Sequence, residues 1–206
     1  MKYHIMKGII CIISTLLTLC VSMQSQDIRQ SMLNSPMVQA GLFEYLSKIP
    51  NGHEVNFGFY DRSEFKDATF GRPYQIYRIQ YDSLEYESKE FRETNKWYIP
   101  VILDNTYRCF LYVRNNANEF RIVGIGSMEI AKDIGLCENM YKSSNQTHDL
   151  IILDEINNFL YLVSNDGLFT PVRPTRLSDS SKLYTSVKRS SVVNELLSFV
   201  IEIKKL

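Results

Sequence analysis

Histidine and cysteine are scarce in this sequence, and their scarcity excludes much chemistry. Of three histidines, His4 lies in the N-terminal leader, which leaves His53 and His148 far apart in the chain. Of four cysteines, Cys11 and Cys20 also lie in the leader, so only Cys109 and Cys137 remain beyond it. Two cysteines are too few for a disulfide framework. One bridge between them would close a loop of about 28 residues and stabilise the fold by ~3–4 kcal/mol. The other reading is a pair of buried thiols packed as small hydrophobes. Basic clusters are lacking too: the adjacent basic pairs are Lys188-Arg189 and Lys204-Lys205, which gives no footprint for nucleic acid. No uncharged apolar run reaches the ~18 residues of a membrane-spanning helix.

What is present begins with a leader. Lys2 and Lys7 precede an apolar run from Ile9 to Val21, and small and polar residues follow, with no charge between Lys7 and Asp27. This is the order of a secretory signal. At ~1.5 Å per residue the run makes roughly 20 Å of helix, short of a ~30 Å hydrocarbon core. Residues 1–25 are therefore expected to be a cleaved signal peptide, cut after Ser22 or, preferably, after Ser25. That places the protein outside the cytosol, secreted or held in the periplasm or cell envelope. Losing Lys2 and Lys7 leaves an excess of two acids over bases, close to neutral.

Residues 26–35 are polar and without period, which reads as a flexible leader. Ser35-Pro36 opens a helix over about 36–48, with Val38, Leu42, Phe43, Tyr45 and Leu46 as its apolar stripe. Asp61-Arg62-Ser63-Glu64 has the form of a capping box that carries Phe65 inward. Tyr74 to Tyr81 reads as a strand with apolar groups on both faces, and the charged stretch Asp82 to Lys96 as a loop or an extension of neighbouring strands. From Trp97 to Ile125 three strands alternate at a period of two, with turns at Asp104-Asn105-Thr106 and Arg114 to Asn118. Pro100 cannot donate to a ladder, so its strand is expected at an edge or bulged. Ser127 then caps a helix that Gly135 ends. After the linker Lys142 to Thr147, a second meander runs over Asp149–Asp154, Asn158–Ser164 and Leu168–Arg173, and Ser191 caps a final helix. The expectation is an α+β fold, antiparallel meander sheets packed by one face on two or three helices. It forms one domain over 36–206 with sub-units 36–141 and 148–206.

Four motifs resolve against catalysis or cofactors. Gly124-Ile125-Gly126-Ser127 follows a strand and opens a helix, as a phosphate cradle would, but the dinucleotide fingerprint needs Gly or Ala where Glu129 stands. Its carboxylate in the first turn would repel an anion. His53-Glu54-Val55-Asn56-Phe57 begins like a zinc protease motif, yet Phe57 replaces the second histidine. Gly126-Ser127-Met128-Glu129 lacks the second glycine of a nucleophile elbow, and paired acids such as Asp154-Glu155 fall on a turn. No catalytic residue, metal ligand or cofactor is assigned. Asn145-Gln146-Thr147 is a glycosylation sequon, relevant in a eukaryotic host.

Aromatics are abundant, at 12% of the chain. Tyrosines on an outward sheet face can bind a protein partner or stack on a glycan. Tyr74, Tyr77, Tyr81, Trp97 and Tyr98 are the candidates for such a surface; packing into the core is the competing role.

Ile49-Pro50-Asn51-Gly52 with Phe57-Gly58-Phe59, Trp97-Tyr98-Ile99-Pro100-Val101 and Val123-Gly124-Ile125-Gly126 together resemble uncharacterised secreted proteins of Bacteroidota. The resemblance covers roughly residues 49–135. It implies export, with Gln26 as a new terminus typical of such chains, and no activity. The leading functional reading is an exported, non-catalytic binding or interaction domain for a protein or glycan, with no nucleic acid and no membrane span once the signal is removed. The alternative is a secreted hydrolase or protease-inhibitor-like accessory protein, which needs a cleft joining His53 or His148 to Cys109, Ser127 or an acid. A structural envelope component would instead expose a strand edge for self-pairing.

Overall fold

A computed structural model describes residues 28–79, 91–117, 119–142, 148–154, 159–164, 166–173, 185–188 and 191–192. The expected signal peptide, Tyr81, Tyr86, the centre of the linker and the final helix beyond residue 192 lie outside them.

Beyond a helical segment at residues 28–33 (α1), α2 spans Pro36–Ser47. Two 3₁₀ turns follow, Glu54–Phe57 and Arg62–Asp67. Eight strands and one more long helix complete the described chain. They are β1 (Thr69–Phe70), β2 (Tyr74–Ile79), β3 (Phe91–Leu103), β4 (Thr106–Asn116), β5 (Glu119–Gly126), α3 (Met128–Tyr141), β6 (His148–Asp154), β7 (Phe159–Ser164) and β8 (Phe169–Arg173). The fold is α+β with a mostly antiparallel sheet.

The two meanders form as their alternation predicts, β3-β4-β5 and β6-β7-β8. They join edge to edge through β2, which pairs antiparallel with β3 and parallel with β6, so the strand order is β5-β4-β3-β2-β6-β7-β8. The first hairpin turns at Asp104 and Asn105, both at positive φ (50° and 57°). That is the paired left-handed geometry matching strand twist, and Asp and Asn tolerate it.

Both faces of the sheet are covered, rather than one. Trp97, Ile99, Val101 and Leu103 of β3 point to one side, with Leu111 and Val113 of β4, under Met32 of α1 and Val38, Leu42 and Leu46 of α2. Tyr74, Ile76, Phe110, Ile151 and Leu162 point to the other, under Ala131, Ile134 and Cys137 of α3. On β2, Tyr74 and Ile76 join the layer under α3, while Gln75 on the other face bonds the exposed Glu93. Each large side chain so enclosed contributes roughly 1.5–3 kcal/mol.

Three local expectations give way. Residues 28–33, expected to be flexible, are helical, and Met32 is fully buried; one apolar side chain driven into the core orders the segment. Gly135 does not end α3, which continues to Tyr141. A Cβ there would lie 3.2 Å from the Tyr107 side chain, so the glycine lets the helix approach β4. Ser127 sits at φ 56°, ψ 47° and makes no side-chain cap; its Oγ instead hydrogen-bonds Tyr112 Oη at 2.6 Å.

Pro100 lies in a central strand, not an edge. Its carbonyl accepts from Gly71 N–H at 2.7 Å, so its nitrogen also faces the β1/β2 side, because one residue's N and O point the same way in a strand. There the chain leaves the ladder over Gly71-Arg72-Pro73, between β1 and β2. The missing donor meets a missing strand, and the register slips nearby, between Val101 and Ile102.

Candidate functional site: a pinned loop presenting Tyr60

The aromatic residues singled out from sequence do not form one surface. Tyr74 and Trp97 are buried core residues on opposite faces of the sheet. Tyr98 is the cross-strand neighbour of Tyr74 and half-buried, packed on Phe110 and Tyr112 at ring distances of 5.4 and 4.8 Å. Tyr77 is half-buried opposite Glu93, and burial first, then that carboxylate, raises its phenol. Tyr81 lies outside the described residues. A single exposed patch from Tyr74 to Tyr98 is therefore not built, because the alternation that makes a strand sends neighbours to opposite layers.

Residues of catalytic type are brought together at one buried point. His148 of β6 places Nδ1 3.3 Å from Glu138 Oε2 of α3, with the imidazole fully enclosed. The approach is off the line of a hydrogen bond, and neither ring nitrogen bonds a described residue. Tyr74 Oη donates to Glu138 Oε1 at 2.7 Å, and Tyr107 Oη lies 3.3 Å from Tyr74 Oη. Burial foremost, then the Tyr107 and Glu138 charges, drives the Tyr74 phenol well above its ordinary value. Cys137 neighbours this cluster, but burial pushes its thiol up to about 12, as it does Cys109. A thiol of that acidity supplies almost no thiolate near neutral pH. His148 is 1% exposed, and the cluster joins α3 to the sheet through Glu138.

The glycines of the Gly124-Ile125-Gly126 corner hold a ring, not a phosphate. A Cβ at either would meet the Tyr112 side chain at 3.1 Å. His53 is exposed beside Asn56, its Nδ1 3.3 Å from Asn56 Nδ2. Among the described residues no group of three or more His, Cys, Asp or Glu is placed to hold a metal.

A different segment carries the features of a recognition surface. Between α2 and β1 the chain folds into a loop whose backbone is bonded at nearly every step. His53 N–H donates to Pro50 O at 3.0 Å, Asn56 N–H to His53 O at 3.0 Å, and Phe59 N–H to Glu54 O at 3.1 Å. Arg62 is its clamp: Nη1 donates to Ile49 O at 2.6 Å and Glu54 Oε1 at 3.2 Å, and Nη2 to Ser47 O at 2.8 Å. A cation thus caps the carbonyl end of α2, where the helix dipole favours it. Arg108 of β4 reaches over to donate to Gly58 O at 3.1 Å.

A shifted form of the capping box is present, with Asp61 on the amide of Ser63 rather than Glu64 and Glu64 on the amide of Tyr60 rather than Asp61. Asp61 Oδ1 accepts from Ser63 N–H at 2.7 Å, while Glu64 Oε2 accepts from Tyr60 N–H at 2.7 Å, one residue earlier than the usual return contact. Ser63's hydroxyl and amide hold the Asp61 carboxyl below its ordinary value. Backbone hydrogen bonds first, then Arg62, hold Glu54 down too, against the opposing effect of burial.

Tyr60 departs from the local rule. An apolar residue just before the cap normally packs on the fourth residue of the helix, which here is Phe65. Phe59 takes that place instead, buried in a T-shaped pair with Phe65 at 5.0 Å. Tyr60 is left 80% exposed, with Val55 63% exposed on the same loop. Phe59-Tyr60 before the box offers two aromatics for one socket, and the sequence does not say which of them takes it.

Comparison adds no relative to this geometry: no family model, curated protein or solved structure matches the chain. Among the described residues no helix is long and apolar enough to cross a membrane.

Proposed function

We propose that this protein is an exported, non-catalytic binding or interaction domain that engages a protein or glycan partner through the loop bearing Val55 and Tyr60. The observation that supports this reading is Tyr60 itself, a large aromatic held in solvent on a backbone already fixed by Arg62, Arg108 and the capping box. Tyrosine offers broad contact area for little conformational entropy, and a loop ordered before binding has less to lose on binding. The same rigid presentation suits the inhibitor-like form of the accessory alternative, and the test below covers it because a target protease is a protein partner. Export follows from the leader, with cleavage after Ser25. The order of α1, with Met32 buried, agrees with a cut that falls before it.

A photo-crosslinking amino acid at position 60, with position 136 on the outer face of α3 as control, tests the contact in the native host. Adducts from 60 and not from 136 are expected, or, for a glycan, array retention that Tyr60→Ala abolishes. Absence of both would remove the reading. Mass spectrometry of the extracytoplasmic protein should give a chain beginning at Gln26.

A further inference from the structure

We infer that the outer edge of β5 pairs with the same edge of a second copy of this chain, antiparallel about a two-fold axis at Phe120. Among the described residues β5 ends the sheet, with β4 as its partner strand on one side only. At the other end of the sheet, Phe169 of β8 is bridged to Val187. The contact is independent of the Tyr60 loop and survives if that reading fails.

The hairpin sets which backbone groups line this edge. Asn116 stands opposite Glu119 across a two-residue turn, and the residues that close such a turn exchange hydrogen bonds. Bonded and non-bonded pairs alternate along an antiparallel ladder. Phe120 and Ile122, opposite Asn115 and Val113, therefore turn their N–H and C=O groups away from β4. Ile122 agrees with this, because its carbonyl accepts from Tyr45 Oη at 2.8 Å. Phe120 keeps both groups for an added strand. Beyond Ile122 the register slips, between Tyr112 and Val113, so the regular edge is the short stretch from Glu119 to Ile122.

Charge selects the occupant. Lys96, Arg114 and Arg121 stand in register across β3, β4 and β5, a row of bases that ends at the free edge. Like charges directly opposite destabilise a sheet, so the next place in that row favours an acid. Glu119 bonds Arg121 within its own strand at 2.9 Å, and both side chains remain more than half exposed. Three registers align the outward residues of two copies. Centring on Ile122 meets the carbonyl already engaged by Tyr45 and leaves Arg121 facing Val123. Centring on Arg121 opposes two guanidiniums. Centring on Phe120 lets it exchange both backbone bonds with its counterpart and sets Glu119 of each copy against Arg121 of the other. Those two flanking pairs are of the non-bonded kind, in which side chains approach most closely. An edge that complements itself in sign and hydrogen bonding fits a second copy of the same chain.

Sedimentation equilibrium of the purified protein from about 5 to 500 µM should show a reversible dimer. Glu119→Arg and Arg121→Glu each oppose like charges at both symmetric positions and should weaken it about tenfold or more. Mixed in equal amounts, the two variants should pair with each other, because each reversal then faces its opposite sign. Should a reversal unfold the chain, Glu119→Gln and Arg121→Gln replace it, each expected to weaken the dimer about threefold. Hydrogen exchange gives a reading without substitution: the Phe120 amide should slow as concentration rises, while the Arg121 amide, bonded to β4, should not. A monomer throughout the range would overturn the second copy as occupant and leave the edge to a strand of another protein. A dimer indifferent to the charge changes, reversals that fail to pair on mixing, or a Phe120 amide whose exchange ignores concentration would each overturn it too.

Discussion

Cys109 and Cys137 lie in different hydrophobic layers, Cys109 beneath α2 on one face of the sheet and Cys137 beneath α3 on the other. The sheet itself stands between them, and both are free and buried. The bridge that two cysteines allow in an oxidising compartment is thereby excluded, since it requires Cα atoms within about 7 Å and side chains directed at each other. With both thiols raised to about 12, the thiolate fraction at pH 8 is on the order of 10⁻⁴. A native chain beginning at Gln26 should titrate no thiol with a colorimetric disulfide reagent within minutes, and two after denaturation. Its electrophoretic mobility should be the same with and without reductant.

Gly52 and Gly58 separate two reasons for a glycine. Both are left-handed, at φ 81° and 86°. A Cβ at Gly52 meets nothing within 4 Å, while one at Gly58 would lie 2.9 Å from the Arg108 backbone oxygen. Gly52→Ala should therefore cost only the conformational penalty, about 1 kcal/mol. Gly58→Ala adds a clash with a strand that cannot yield, for about 3 kcal/mol in all. Urea midpoints of the two variants test the difference, and equal midpoints would refute the fixed approach of the loop to β4.

The first meander was legible because alternation and the Asp104-Asn105 turn are local signals that report local geometry. The pairing of β2 with β6 was not, because no short segment records which distant strand will lie beside it. Tyr74 and Trp97 were correctly placed on strands but wrongly offered to solvent: period alone cannot distinguish one covered face from two. Gly135 looked like a helix stop for a similar reason. The Tyr107 side chain that requires it is nearly thirty residues earlier in the chain, so its role appears only once α3 docks. At the loop, the capping box was readable and the exposure of Tyr60 was not, since it depends on Phe59 winning the contact with Phe65.

Acid should loosen this loop before it affects a variant lacking the two lowered carboxyls. Glu54 and Asp61 both titrate below their ordinary values of 4.5 and 3.8 in the folded chain. Groups lowered by folding bind protons more readily when unfolded, so they stabilise the fold fully above those ordinary values. That stabilisation is lost as pH falls through the lower, folded ones. Melting temperature measured from pH 6 down to pH 2 should decline below about pH 4.5. The decline should be shallower in Glu54→Gln and Asp61→Asn, and shallowest in the double variant. Parallel curves in all four proteins would show that other carboxyls govern acid stability.

Tyr74 and Glu138 offer the sharpest test of whether the buried cluster is a brace. The phenol is fully buried and donates to the carboxylate at 2.7 Å, while its own ionisation is suppressed by burial and by that charge. It is therefore a donor across the accessible pH range. Tyr74→Phe keeps the ring but withdraws the donor from a carboxylate that burial has partly stripped of water, at a cost of about 1.5–3 kcal/mol. Glu138→Gln keeps the shape but turns a charged acceptor into a neutral one. In the double variant the second change has less left to remove, so the two costs should fall short of adding by about 1 kcal/mol. Thermal and urea unfolding of the four proteins closes this cycle. Strict additivity would mean that the hydroxyl and the carboxylate act separately, and that α3 is held on the sheet by its apolar face alone.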